Sequence, residues 1–310
     1  MNSLKDITAK PETSHIDDSS GVNFHALLEL TKPRLSLLSV FTASLGYLLY
    51  YPLNPDLIVF CALTLGTALA ACGAAALNQW MEKDEDSLMP RTANRPIPAK
   101  TVEPEIALFF GVILSSIGLA VLWFGTNAWA CSLTLLTLVV YLLLYTPLKK
   151  KSPYATEVGA ISGALPPLIG WVAASGEPST YGWVLFGILF TWQLPHFMAI
   201  AWNFRNDYSK GGFKLQELGN SDGYHLARKS LMYSLLLTAF VFSPFFLQTN
   251  QPEPGLLYLI SAGFLSLYLL IPSFNFLIQG NRDKSAKKLF FVTIIYLPLL
   301  LAILVIDRFL

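Results

Sequence analysis

Long apolar runs recur nine times along the chain, separated by shorter polar segments. Each run has the roughly 17–25 residues that an α-helix needs to cross a bilayer, since each residue advances the helix by about 1.5 Å. The pattern therefore predicts an all-α integral membrane protein with nine transmembrane helices. The predicted spans cover residues 35–51, 57–78, 105–124, 128–147, 157–174, 183–202, 230–248, 256–278 and 289–307.

Positive charge is segregated between the two sets of connecting segments. Of the 21 lysine and arginine residues, all but Arg308 fall in the N-terminal segment or in the loops that follow even-numbered spans. Because basic loops stay in the cytoplasm, the N-terminus and the even-numbered loops are predicted to be cytoplasmic. A miscounted helix would mix the two sets, so the charge pattern also supports the count of nine.

Composition and the N-terminal segment narrow the class of protein further. The chain is 54% hydrophobic and 13% charged, whereas soluble proteins carry about 25% charged residues. Residues 1–24 are polar and predict a disordered tail before a membrane domain over 25–310. The tail has no apolar core for a signal peptide, and its acids without arginine argue against a mitochondrial presequence. We expect a bacterial inner-membrane protein. The sequence contains no nucleic-acid-binding motif.

An acidic segment follows the second predicted span. Asn78, Glu82 and Asp86 are spaced i, i+4 and i+8, which on a helix places three oxygen-bearing side chains on one face. Oxygen ligands favour Mg²⁺ or Ca²⁺, and the nearby Arg91 and Arg95 suit phosphate oxygens. The segment thus predicts a diphosphate site at the membrane surface. Taken alone, it also fits a solvated charged loop.

The end of the sixth predicted span carries further candidate groups. Asp207 lies just beyond the span and is either a further metal ligand or a surface charge. His196 lies inside the span, about 9 Å before its end at Trp202. An ionisable residue within a span predicts a function. His196 is therefore a candidate metalloporphyrin ligand or proton-transfer group, with a hydrogen bond between helices as the structural alternative.

Two other polar features have structural as well as functional interpretations. Lys149, Lys150 and Lys151 follow the fourth span and are interpreted as charges that flank a helix and set its orientation. Pro166 and Pro167 interrupt the fifth span. They predict either a broken or bent helix that lines a cavity, or close packing between helices.

These separated segments together resemble the heme O synthases of the UbiA superfamily of intramembrane prenyltransferases. The matching segments cover residues 31–35, 78–96, 145–149, 163–171 and 194–208. Several matches in the right order are far more specific than any one of them. Glu82 departs from the aspartate often found at its position but keeps the carboxylate. The second aspartate-rich motif of the superfamily is reduced here to Asp207.

The resemblance implies nine helices around a central cavity, capped by cytoplasmic loops. It implies transfer of a farnesyl group from farnesyl diphosphate to a vinyl group of heme B, with addition of water, giving heme O for heme–copper oxidase biogenesis. Heme A synthase or oxidase assembly proteins are the implied partners. The implied Mg²⁺ ligands are Asn78, Glu82, Asp86 and Asp207. The candidate substrate contacts are Lys32, Arg34, Arg91, Arg95, His196 and Lys210.

Two other functions fit parts of the sequence. A prenyltransferase for a quinone precursor or another aromatic acceptor shares the Mg²⁺ face and has no need of His196. A transporter places its polar groups near the bilayer midplane in broken helices, whereas the acids here cluster at one face, and only the two prolines favour transport. Three aromatic residues are candidates to stabilise an allylic cation, with packing as the simpler interpretation: Tyr141, Tyr145 and Trp192.

The charge pattern gives a direct test of topology. A reporter fused after Leu277 is expected to read cytoplasmic, and one inserted at residues 251–255 is expected to read external. Alkaline phosphatase and a fluorescent protein, which are active on opposite sides, serve as the paired reporters. Both fusions reading the same side would overturn the nine-helix topology.

Overall fold

The structure is a computed structural model that describes residues 24–50, 54, 56–210, 212, 222–247, 254–278, 280–308 and 310. The predicted tail lies outside the described residues except for Phe24, and so do residues 211 and 213–221 of the loop that follows the sixth span. Within the described residues every regular element is helical. The predicted all-α class is therefore confirmed for this part of the chain.

Helical segments occupy the nine predicted spans, and most of their limits lie within three residues of the expected ones. The helix of the seventh span begins and ends six residues earlier than predicted, and the helix of the ninth begins seven residues earlier. The long helices are α2 (Pro33–Tyr50), α3 (Leu57–Met81), α5 (Pro104–Gly125), α6 (Ala128–Val139), α8 (Ala155–Ser175), α9 (Thr180–Asn203), α11 (Tyr224–Phe242), α12 (Leu256–Ile278) and α13 (Arg282–Asp307). The short helices are α1 (Phe24–Leu30), α4 (Lys83–Leu88), α7 (Thr146–Leu148) and α10 (Arg205–Lys210). The sequence pattern thus located the elements, while their exact limits depend on local caps.

Seven segments of the described chain are long and apolar enough to cross a membrane. They are α3, α5, the continuous segment Ala128–Leu148, α8, α9, α12 and α13. The helices α2 and α11 are not among the seven, and each carries basic residues in its first turns, including Arg34 and Arg228. The protein is therefore a multi-pass membrane protein.

Side-chain caps begin several of the long helices. Asp56 precedes α3, and its carboxylate accepts hydrogen bonds from the N–H groups of Ile58 and Val59 at 2.9 and 3.2 Å. Asn127 and Ser179 act in the same way at the start of α6 and α9. Such caps satisfy N–H groups that have no partner in the first turn, which sets where a helix starts.

Small residues let α2 and α8 approach closely at the centre of the fold. A Cβ atom added at Gly170 of α8 would overlap the carbonyl oxygen of Ala43 in α2, and one added at Gly46 would overlap that of Pro167. The helix α8 continues without interruption through both prolines. The predicted break is therefore wrong, although the helix does line a cavity, through Pro166 among other residues. The alternative of close packing is confirmed, because small residues allow backbone contact in a membrane.

A π-helical segment, Val140–Tyr145, joins α6 to α7. Such segments are rare and often mark functional sites. Here the wider turn places Tyr141 and Tyr145 on the same side, with ring centroids 5.7 Å apart. Both rings line the central cavity that is described below.

The close approach of α2 and α8 predicts an asymmetry between two glycines. Gly170→Ala is expected to lower the stability of the protein by about 1–3 kcal/mol, because the added methyl group overpacks the interface. Gly263→Ala in α12, where an added Cβ meets nothing within 4 Å, serves as the matched control and is expected to be neutral or slightly stabilising. Thermal unfolding in detergent measures both, and equal midpoints for the two variants would contradict the packing argument.

Candidate active site

The acidic segment keeps its helical register across the junction of α3 and α4. Asn78 lies in the last turn of α3, Glu82 lies between the two helices and Asp86 lies in α4. The Glu82 N–H donates to the Asn78 carbonyl at 3.0 Å, and the Asp86 N–H donates to the Glu82 carbonyl at 2.9 Å. The three side chains are 1%, 5% and 1% exposed. Their i, i+4, i+8 spacing therefore produces a row of buried polar groups, not a solvated loop.

Each of these buried side chains accepts a hydrogen bond from a cation. A buried carboxylate is costly unless it is paired, so these contacts stabilise the site as well as shape it. The cations come from the segment before α2, the segment after α7 and the loop after α4. The contacts are Lys32 Nζ to Asn78 Oδ1 at 2.9 Å, Lys149 Nζ to Glu82 Oε1 at 2.7 Å and Arg95 Nη1 to Asp86 Oδ2 at 2.6 Å.

Lys32 occupies an unusual position in both backbone and charge. Its φ angle is +46°, in the left-handed region that costs an L-residue about 1–3 kcal/mol unless its surroundings hold it there. Burial lowers the pKa of Lys32 to about 7, and the positive charges of Arg95 and Lys149 add to this lowering, against the acids Glu82 and Asp86. Lys32 is thus a half-buried amine with a lowered pKa, and a bound anion would favour its charged form.

Lys149 differs from Lys32 in the balance of its surroundings. Burial acts to lower the pKa of Lys149, but Tyr145 and the Glu82 carboxylate raise it, and the net shift is upward. The Lys149 ammonium also lies 4.6 Å from the centre of the Tyr145 ring. Lys149 therefore carries a permanent positive charge in the site.

The π-helical segment holds Asn78 in a fixed orientation. The Asn78 amide nitrogen donates to Thr146 Oγ1 at 3.2 Å, and Thr146 Oγ1 donates to the Tyr141 carbonyl at 2.8 Å. With its nitrogen bound on this side, the amide oxygen points to Lys32. A local feature of the helix backbone thereby sets the direction of an oxygen ligand in the site.

The helix α10, which carries Asp207, and the preceding Phe204 lie against the loop that follows α4. The Arg91 guanidinium lies 5.2 Å from the Phe204 ring and 5.4 Å from the Tyr208 ring. Asp207, next to Tyr208 in α10, is half-buried. Among the described residues, no side-chain hydrogen bond connects Asp207 with Asn78, Glu82 or Asp86. Lys210 and Arg34 are exposed, at the end of α10 and the start of α2. The structure thus brings α10 to the site and leaves these two cations at its edge.

A cavity of about 380 Å³ extends from Lys32 into the membrane domain. It lies between α2, α3, the α6 segment, α8, α9 and α13, and its wall is mostly apolar. Pockets for small molecules and cofactors are typically about 300–1,000 Å³. The aromatic candidates Tyr141, Tyr145 and Trp192 all line it, as does His196. An apolar cavity with a charged end suits an amphiphilic molecule with an anionic head.

His196 makes the contact between helices that the sequence left as an alternative. Its Nδ1 lies 2.9 Å from Thr293 Oγ1 on α13, and its ring stacks between Trp192 and Phe290. The half-buried ring also lines the cavity. His196 can therefore contact a molecule in the cavity while it joins α9 to α13.

The sequence interpretation missed the contacts of the lysines that follow the fourth span. Lys149 pairs with Glu82, and Lys150 pairs with Glu85 on α4. These two lysines therefore pair with acids in addition to flanking the end of a helix. Glu82 and Lys149 are 67 residues apart, and no local pattern in the sequence pairs the two segments.

The arrangement of the buried side chains decides whether they fit a metal ion. Over the described part of the chain, no group of three or more His, Cys, Asp or Glu side chains is arranged to hold a metal ion. The candidate group instead has the Glu82 and Asp86 carboxylates with the Asn78 amide oxygen. This donor set fits Mg²⁺, which proteins usually bind through one or two carboxylates together with substrate phosphates.

A bundle of membrane helices around an apolar cavity, with buried acids and cations at one end, defines an intramembrane enzyme for an anionic amphiphile. Residues 39–295 match the UbiA prenyltransferase family, and the chain belongs to this family. A relative from Opitutus terrae is 45% identical over 290 residues, covering 94% of this chain and 97% of its own, and is named protoheme IX farnesyltransferase.

Solved structures show the same fold at low sequence identity. A digeranylgeranylglyceryl phosphate synthase matches with a TM-score of 0.78 and 16% identity, over 92% of this chain and 98% of its own. A UbiA homolog from Archaeoglobus fulgidus, bound to GPP and Mg²⁺, matches with a TM-score of 0.58 and 12% identity, over 90% and 99% of the two chains.

The lowered pKa of Lys32 predicts a pH dependence of anion binding. A bound diphosphate favours the charged amine, so binding takes up a proton once the free Lys32 has lost it. The affinity for inorganic diphosphate, measured without metal, is therefore expected to fall as pH rises above about 7, by up to about tenfold per pH unit.

Calorimetric titration of the wild type and of Lys32→Arg separates this effect from the titration of diphosphate itself. The arginine stays charged, so only the wild type is expected to show the additional fall. Identical pH profiles for the two proteins would show that Lys32 does not titrate on binding.

Proposed function

We propose that this chain transfers the farnesyl group of farnesyl diphosphate to a vinyl group of protoheme IX, with addition of water, giving heme O and diphosphate. The observation that carries the proposal is the 45% identity to a protoheme IX farnesyltransferase over 94% of the chain. The chain is a prenyltransferase of the UbiA family. The apolar cavity with its charged end supports a lipid-like diphosphate as the donor.

The charged end of the cavity is proposed to hold the diphosphate. Mg²⁺, held by the oxygens of Asn78, Glu82, Asp86 and Asp207, would offset the charge of the diphosphate and stabilise it as a leaving group. The cations that bond to Asn78, Glu82 and Asp86 would contact the phosphate oxygens. Arginine suits bidentate contacts. These cations are Lys32, Lys149 and Arg95, with Arg91, Lys210 and Arg34 at the edge of the site.

The cavity is proposed to hold the farnesyl chain and the reacting carbon. Breaking the bond between C1 of the farnesyl group and the diphosphate oxygen leaves an allylic cation, which needs a site that excludes water. The rings of Tyr141, Tyr145 and Trp192 line this space and would stabilise positive charge through their π faces. The terminal vinyl carbon then bonds to C1, and water adds to the cation that forms on the other vinyl carbon and loses a proton.

The proposed setting is the bacterial inner membrane, with nine spans and with the N-terminus and the site in the cytoplasm. The segregation of positive charge supports this orientation. The helices α2 and α11 complete the nine, since both pack among the seven apolar segments. The proposed partners are heme A synthase or oxidase assembly proteins, which would take up the product.

Product formation tests the function and the acid row together. Purified protein is incubated with heme B, labelled farnesyl diphosphate and Mg²⁺, and the product is identified by its mass. Glu82→Gln and Asp86→Asn are each expected to lower turnover at least about 100-fold, and a chelator is expected to abolish it. Asp84→Asn, an exposed acid of the same helix, is the matched control and is expected to keep wild-type turnover.

Two results would overturn this assignment in different ways. Near-wild-type turnover in both variants, with full resistance to the chelator, would remove the acids and the metal from the mechanism. Farnesylation of an aromatic quinone precursor, with no reaction of heme B, would replace the acceptor and leave the diphosphate site in place.

A further inference from the structure

Thr293 of α13 fixes the position of His196 in the cavity wall. His196 Nδ1 lies 2.9 Å from Thr293 Oγ1, and the imidazole stacks between Trp192 and Phe290, each with a ring centroid 5.2 Å away. One turn earlier on α9, Trp192 Nε1 donates to the Thr293 carbonyl at 2.9 Å. A single fully buried threonine therefore holds two successive turns of α9.

The hydrogen bonds of Thr293 also decide which nitrogen of His196 carries the proton. Thr293 Oγ1 lies 2.7 Å from the Phe290 carbonyl oxygen. A carbonyl oxygen only accepts, so the single hydroxyl proton is used in this bond. Thr293 Oγ1 can then only accept from His196. The neutral imidazole therefore carries its proton on Nδ1, and Nε2 keeps its lone pair.

The lone pair on Nε2 is available to a ligand. His196 lines the cavity, and across the described residues no hydrogen bond to Nε2 is present. Histidines that bind metal ions usually donate their other ring N–H to a protein acceptor, which fixes the tautomer and raises the basicity of the ligating nitrogen. The bond from Nδ1 to Thr293 has this form, and two stacked rings resist rotation of the imidazole.

We infer that Nε2 of His196 is an axial ligand of the iron of the porphyrin acceptor, and that Thr293 is the positioning residue that fixes the tautomer for this bond. The inference rests on the proposed function, which supplies the porphyrin. An axial bond from a rigid ring fixes the depth of the macrocycle in the cavity. The reacting vinyl group is thereby held at a set distance from the charged end, where the farnesyl cation forms.

Resonance Raman spectra of the ferrous protoheme complex test the bond directly. The wild type is expected to show an iron–histidine stretching band, His196→Ala is expected to lose it, and added imidazole is expected to restore it. Thr293→Val is expected to bind protoheme about tenfold more weakly or worse and to move the band to lower frequency. Thr293→Ser, which keeps the hydroxyl, is expected to restore both.

Matched variants separate positioning from general packing. Thr191→Val removes an equally buried hydroxyl of α9 that bonds to the Gly187 carbonyl at 2.6 Å, and His225→Ala removes an exposed histidine. Both are expected to leave the band and the protoheme affinity unchanged. Inorganic diphosphate binding to every variant shows that the other end of the site is still folded.

The outcomes distinguish the inference from the function on which it rests. A wild-type complex that farnesylates protoheme but lacks the band overturns the iron bond and leaves the function standing, and this result requires no variant. A band that persists in His196→Ala, or Thr293→Val behaving like Thr191→Val, has the same consequence. A wild type that neither binds nor farnesylates protoheme overturns the proposed function itself.

Discussion

The burial of an amide and two carboxylates at the junction of α3 and α4 is the constraint on which the site depends. Asn78, Glu82 and Asp86 are almost completely buried, and an unpaired buried carboxylate costs several kcal/mol. The fold meets this cost with one cation for each side chain. Because these cations come from three separate segments, charge pairing also determines how those segments are arranged around the end of α3.

This arrangement sets three cations against two carboxylates and one amide, which suits the site to an anion. The positive groups are already held in place by Asn78, Glu82 and Asp86, so they lose little freedom when a diphosphate binds. Lys32 is the exception in its titration, because burial lowers its pKa to about 7, whereas Lys149 stays charged. The Lys150 and Glu85 pair lies beside these contacts and fixes α4 against the segment after α7.

The opposite wall of the cavity is organised by α9 and α13 with much less charge. Thr293 accepts hydrogen bonds from Trp192 and His196. The rings that stack on the imidazole of His196 restrict its rotation. The two walls therefore differ in their physics. One wall uses paired charges around the end of α3, and the other uses neutral hydrogen bonds and stacked rings inside the apolar domain, where an unpaired charge would be costly.

Local patterns in the sequence were sufficient to predict the helices and the row of polar side chains Asn78, Glu82 and Asp86. An apolar run of about 20 residues has few alternatives in a bilayer, and a spacing of four places side chains on one face of any helix. Both are local properties of the chain. The positive charge of the loops likewise predicted an orientation without reference to any contact.

The partners of those residues depend on packing between distant segments of the chain. The contacts of Asn78 with Lys32 and Thr146, of Glu82 with Lys149 and of His196 with Thr293 join positions 46, 68, 67 and 97 residues apart. No local pattern encodes such pairs. The continuous path of α8 through its two prolines depends in the same way on packing against α2. Sequence therefore placed the chemical groups at or near the ends of predicted spans, and packing between distant helices set their charges, their orientation and the proton on His196.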